Sequence, residues 1–179
     1  MTELEKKRLD VLEKLKGILE ELEVPCAIRE PDEGFPMHML ATLHQNIGYM
    51  NNEVMGQFYF LPLEQENQKF HYFTSVMTLD EEVPMERYQD MALAAAMLNF
   101  YLPLGAFVAE KDGGILAFKY TSILPMDAGT DEMVSLIDGN IGAALNLTNE
   151  YVDPFMRLLN GEITLDEFEL ELPDAHFED

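Results

Sequence analysis

The chain has 179 residues, 47% of them hydrophobic, which is enough to bury a sizeable core in one domain. Its 34 acidic residues outweigh 11 basic ones for a formal net charge of −23, and such a surface repels nucleic-acid phosphates and anionic lipid. One cysteine excludes an intrachain disulfide, and no apolar run approaches the ~18 residues of a membrane span.

The N-terminus, MTELEKKRLDVLEKLKGILEEL, is charged and amphipathic and lacks the apolar core of a secretory leader, so a cytoplasmic protein is expected. Five basic residues (Lys6, Lys7, Arg8, Lys14 and Lys16) fall within it. The rest of the chain is therefore almost purely acidic, which suits solubility or a basic protein partner.

Thr2-Glu3-Leu4-Glu5 forms a capping box that opens a first helix. Leu4, Val11, Leu15, Ile18 and Leu22 lie on one face of it, widened by Leu12 and Leu19, and Pro25 ends the helical region. Residues 25–80 read as β structure. Cys26 to Arg29 suits a short strand closed by a turn at Pro31-Asp32-Glu33-Gly34. Met37, Met39, Ala41 and Leu43 alternate with His38, Leu40, Thr42 and His44, the pattern of a two-sided strand. Val54 to Leu61 and Lys69 to Leu79 are dense in aromatic and β-branched residues, with a polar turn at Glu64 to Asn67 between them. An antiparallel meander follows from such short connections.

A second helix is expected from Pro84 to Leu102, with Tyr88, Met91, Ala92, Ala95, Leu98 and Leu102 on one face. Pro103 and Gly105 stop it. Asp112-Gly113 between apolar runs predicts a hairpin. A long helix starts near Thr130, is weakened by Gly139 and Gly142, and is expected to kink or break at Pro154. Thr164-Leu165-Asp166-Glu167 is a second capping box. Residues 1–179 thus form one domain, with 162–179 as an acidic C-terminal helix and tail.

No constellation nominates a catalytic site. Cys26 has no histidine signature or basic cluster to lower its pKa, so it reads as a small core residue. His38, His44 and His71 match no zinc spacing, and alternation places His38 opposite Met37 and Met39. No metal and no cofactor are expected. The twelve methionines offer two readings: core packing, the commoner one, or an adaptable apolar surface if a sheet face is left uncovered.

Residues 85–160 carry a set of local motifs. Asn99 lies late in the second helix, Leu102-Pro103-Leu104-Gly105-Ala106-Phe107 leads into the hairpin with its Asp112-Gly113 turn, and the closing helix contains Tyr151-Val152-Asp153-Pro154-Phe155. In these the chain resembles the YbjN-type family of bacterial sensory transduction regulators, which in turn resemble the class I type III secretion chaperones. The N-terminal half departs from that pattern in its longer β section, and the acidic C-terminal helix is extra.

The resemblance implies an α+β domain of order α-β-β-β-α-β-β-α, with an antiparallel sheet of about five strands and flanking helices. It implies no catalytic residues, a homodimer, and a protein or extended peptide client held on apolar patches and sheet edges. The chain is accordingly expected to be a non-enzymatic, chaperone-like interaction or regulatory protein. Met37, Met39, Met91, Leu98 and Tyr101 are the candidate partner-binding residues. The alternative is a domain that senses a small ligand or a metal through a pocket on the sheet.

Overall fold

The computed structural model describes residues 2–63 and 69–173. The expected turn at 64–67 and the tail beyond 173 lie outside the described residues. The elements run α1 (Glu3–Glu21), β1 (Cys26–Arg29), β2 (Met39–Ile47), β3 (Asn52–Phe60), β4 (Phe70–Asp80), α2 (Tyr88–Asn99), β5 (Ala106–Glu110), β6 (Ile115–Pro125), α3 (Thr130–Leu159) and α4 (Leu165–Leu170).

The α+β class and the antiparallel sheet agree with the sequence. The strand count does not: there are six strands, in the spatial order β1-β2-β3-β4-β6-β5. The strand beyond the five of the expected order is β1, the short strand read from the sequence at Cys26 to Arg29; it pairs with Met39 to Thr42 and takes the sheet edge. Four residues suffice because an edge strand needs only one neighbour.

Local chemistry fixes the ends of the elements. At α1, the Thr2 hydroxyl accepts from Glu5 N at 3.2 Å and the Glu5 carboxylate accepts from Thr2 N at 2.5 Å. Thr164 and Glu167 repeat the arrangement at α4. Helix α2 starts four residues later than expected, because the Pro84 carbonyl first accepts from Arg87 and Tyr88 in a separate turn. Helix α3 runs unbroken through Pro154. The ring forfeits one backbone bond, but Tyr151, Val152, Phe155 and Leu158 around it are buried, and their packing holds the helix together.

All four helices lie on one face of the sheet. Helix α1 packs on β1, β2 and α3; α3 packs on β2, β4 and β6; α2 lies on β5 between α3 and α4. Strand residues facing them include Leu40, Val54, Phe58, Phe73, Met77 and Phe118, all fully buried. Phe168, Phe155, Phe107 and Phe118 form a line of ring contacts at 5.1, 4.9 and 5.1 Å that ties α4, α3, β5 and β6 into one core. Among the described residues no helix is long and apolar enough to cross a membrane.

Candidate interaction surface

Because alternate side chains of a strand leave opposite faces, the sheet has a second face with no helix on it. Register places Met39, Ala41 and Leu43 of β2 beside Tyr59, Gln57 and Met55 of β3. Tyr59, Gln57 and Met55 then meet Thr74, Val76 and Thr78 of β4. Beyond these stand Ile123, Thr121, Lys119 and Ala117 of β6, with Ala106 and Val108 of β5 at the far edge.

The chemistry of this face is unlike that of the rest of the surface. Its cations are Lys119, within β6, and Arg29, at the end of β1 and paired with Asp32. The acids Glu53 and Glu110 sit at strand ends. In a chain of 34 acidic residues, a six-stranded surface built of Met, Leu, Val, Ile, Tyr, Thr and Ala is an acid-poor patch. Ile123 is 60% exposed, Phe70 44% and Val108 38%. Thr74 and Thr121 join their hydroxyls across the strands at 3.0 Å. Part of the face is roofed: Phe35, held by an Asp32 carboxylate that accepts from Gly34 N and Phe35 N, stands edge-on to Tyr59 at 5.0 Å. Burial raises the Tyr59 phenol pKa, so it stays neutral.

The five residues nominated from the sequence do not gather in one place. Met91 and Leu98 have no exposed surface: they are the core face of α2, pressed onto the sheet, and offer a partner nothing. Met39 is on the open face but 5% exposed. Tyr101 is half-buried and packs edge-on against Phe100 at 5.2 Å. Met37 is half-buried and precedes β2, lining a cavity beneath α1. Of the remaining β-region methionines, Met55 is on the open face, Met50 is in the β2–β3 turn and Met77 is core. Sequence reasoning missed Val76, Thr121 and Ile123, whose signal was the same alternation applied to β4 and β6.

On α2 and its C-cap the exposed residues Leu93, Ala96 and Phe100 form a stripe opposite the core face. Their spacing of three and four residues puts them on one side of the helix.

The histidines stand apart. His38 meets Glu30 at 3.0 Å, His44 pairs with Thr42 at 2.8 Å, and His71 accepts from Arg8 Nε at 3.4 Å. Among the described residues no three His, Cys, Asp or Glu side chains come together around a point that could hold a metal. Cys26 Sγ lies 3.8 Å from the Lys16 carbonyl, and burial, with Glu20, pushes its thiol pKa up. The chain matches no protein-family model and no curated protein.

Proposed function

We propose that this protein is a non-catalytic interaction domain that uses the open face of its sheet to hold an apolar segment of another protein. The observation that carries this reading is the acid-poor face itself. The four central strands run nine to eleven residues, roughly 30 Å, and the edge strands β1 and β5 only four and five, roughly 15 Å; at ~4.8 Å per strand the face covers about 700 Å², close to the ~800 Å² each partner gives to a stable interface. Its mix of methionine, tyrosine and aliphatic residues with few charges is the composition of an interface centre. Met55 adapts to varied shapes, while Thr121 and Gln57 supply hydrogen bonds. The acidic surroundings steer a basic partner toward it. The resemblance to YbjN-type regulators and secretion chaperones points the same way.

A photo-crosslinking residue placed at position 123 in the full chain, in its native cytoplasm, tests the reading. Adducts to defined proteins should form there and should be absent from the same residue at position 136, an exposed site on α3. Adducts at neither site, or the same adducts at both, would remove the open face as the binding surface.

A further inference from the structure

At one end of the open face, across β2, β3 and β4, lies a depression of about 270 Å³. Register sets Leu43 beside Met55 and Met55 beside Thr78, and these three line it. Glu53 of β3, Asp80 of β4 and Glu81 just beyond β4 line it as well. The first mark of a site is Thr78. It is 7% exposed, yet its hydroxyl lines the depression without a hydrogen-bond partner among the described residues. A buried hydroxyl left unpaired is costly, and a donor from a ligand would satisfy it. The second mark is charge without a counter-charge. Glu53 Oε1 accepts from Gln45 Nε2 at 2.9 Å and Asp80 Oδ1 accepts from Glu82 N at 2.7 Å, so each carboxylate keeps its other oxygen for a further donor. Glu81 is exposed and makes no hydrogen bond or ion pair among the described residues. No lysine, arginine or histidine among the described residues lines the depression.

We propose that this depression seats an arginine side chain of the partner segment, its stem on Leu43 and Met55 and its guanidinium among Glu53, Asp80, Glu81 and the Thr78 hydroxyl. The inference rests on the reading of the open face as the binding surface. Three carboxylates and a hydroxyl acceptor select a cation. Their placement selects its kind. Among the described residues no three acidic, histidine or cysteine side chains converge on a point that could hold a metal ion. Acceptors spread apart suit a donor that is spread apart. Guanidinium distributes five N–H groups over a plane and sheds water readily, whereas an ammonium is a compact, strongly hydrated point charge. The apolar floor covers a methylene stem while the head stays among the acids. Met55, unbranched and half-buried, adjusts to that stem. At ~30 Å³ per non-hydrogen atom, the share of a water molecule in the liquid, the space takes about nine such atoms, enough for an arginine side chain.

N-Butylguanidinium is the probe and N-butylammonium its comparison, each titrated into the full chain at low ionic strength and followed by methyl NMR. The Met55 methyl should shift to saturation with a Kd on the order of 10 mM, and butylammonium should bind ~3-fold or more weakly. The methyl of Met85, 62% exposed and flanked by Glu82 and Glu86 away from the depression, should stay put. Glu53→Gln/Glu81→Gln alters two exposed side chains and should weaken butylguanidinium ~5-fold or more. Glu132→Gln/Asp138→Asn, which removes the same charge from exposed positions on α3, should leave it unchanged. Equal shifts at Met85, equal affinity for butylammonium, or native affinity in Glu53→Gln/Glu81→Gln would each overturn the proposal. The crosslinker at position 123 separates the arginine seat from the open-face reading. Its adducts should fall ~3-fold or more in Glu53→Gln/Glu81→Gln and persist in the α3 pair. Undiminished adducts would overturn the arginine seat and leave the open face standing. No adducts in the otherwise native chain would remove the open face and, with it, the partner's arginine.

Discussion

Asp153 of α3 occupies the space in which a side chain on Gly48 would stand: a Cβ there would lie 2.6 Å from its Oδ2. Gly48 has φ of +71°, a conformation that favours glycine. The nearly buried carboxylate accepts from Tyr49 N at 2.5 Å, Met50 N at 3.3 Å and Asn52 Nδ2 at 2.7 Å. One turn earlier on the same helix, Asn149 Oδ1 accepts from Gly48 N at 2.9 Å. The β2–β3 turn is thus clasped by the closing helix, and the three donors offset the cost of burying the charge. Gly48→Ala should destabilise the protein by about 3 kcal/mol, since a strained φ and a displaced clasp combine. Asp153→Ala should cost about 2 kcal/mol by orphaning the turn donors. The double variant should lose less than the sum, because both break the same contact. Urea midpoints measure all three, and full additivity would show that the two residues act separately.

Asn99 makes a second clasp. Its Nδ2 donates to the Phe107 carbonyl at 2.9 Å and its Oδ1 accepts from Phe107 N at 2.7 Å. One amide thereby satisfies both backbone groups of an edge-strand residue and ties the end of α2 to β5. Asn99→Ala should cost about 2 kcal/mol, and Asn99→Asp about as much, because the carboxylate keeps the acceptor and loses the donor. Amide exchange at Phe107 should quicken in both variants. Unchanged exchange there would mean that β5 is held by its pairing with β6 alone.

These clasps mark the limit of what the sequence discloses. The capping boxes at Thr2 and Thr164 were legible because their partners are three residues apart. The two faces of β2 and β3 were legible because burial has period two. Asn99 and Asp153 stood in recognisable motifs, yet their partners lie eight and about a hundred residues away. No local pattern announces such pairs. Pro154 does not break α3 for the converse reason: its local penalty is real, but tertiary packing of its neighbours outweighs it. The open face was legible only as a condition, since alternation separates two faces without saying which will be covered. The cavity under α1 had no signal at all, because Arg8, Met37 and Phe60 meet only in three dimensions.

His71 should make the fold acid-sensitive above the carboxylate range. Burial, then Arg8 and Lys7, lowers its pKa to about 4 from the ordinary value of 6.5. The unfolded chain therefore binds more protons than the folded one between these values. Stability contributed by the neutral ring is present above pH 6.5 and is lost as pH falls toward 4. Burial shifts His44 in the same direction. His71→Gln keeps an acceptor for Arg8 and removes the titration. The native chain should lose stability relative to this variant between pH 7 and 5, read from urea midpoints. Parallel curves would show that His71 does not titrate on unfolding.

Association should run through α2 on the side opposite its core residues. Phe100 is 73% exposed and Leu93 44%, with Ala96 between them. Met91 and Leu98 already pack within the chain, so the exposed stripe is what remains to be covered, and a symmetric homodimer covers it with one repeated contact. Two chains of charge −23 repel each other. Screening shrinks the reach of that repulsion from about 10 Å in 0.1 M salt to about 3 Å in 1 M, so the dimer should tighten as salt rises. Sedimentation at about 50 μM protein should give a mass above that of the 20.4 kDa chain, approaching twice it in high salt. Phe100→Glu places an exposed charge in the stripe and should leave the fold intact and the protein monomeric in both buffers. A native chain that stays at 20.4 kDa in 1 M salt would rule the dimer out. A dimer that persists in Phe100→Glu would move the contact elsewhere, with the open sheet face next to be tested by Ile123→Glu.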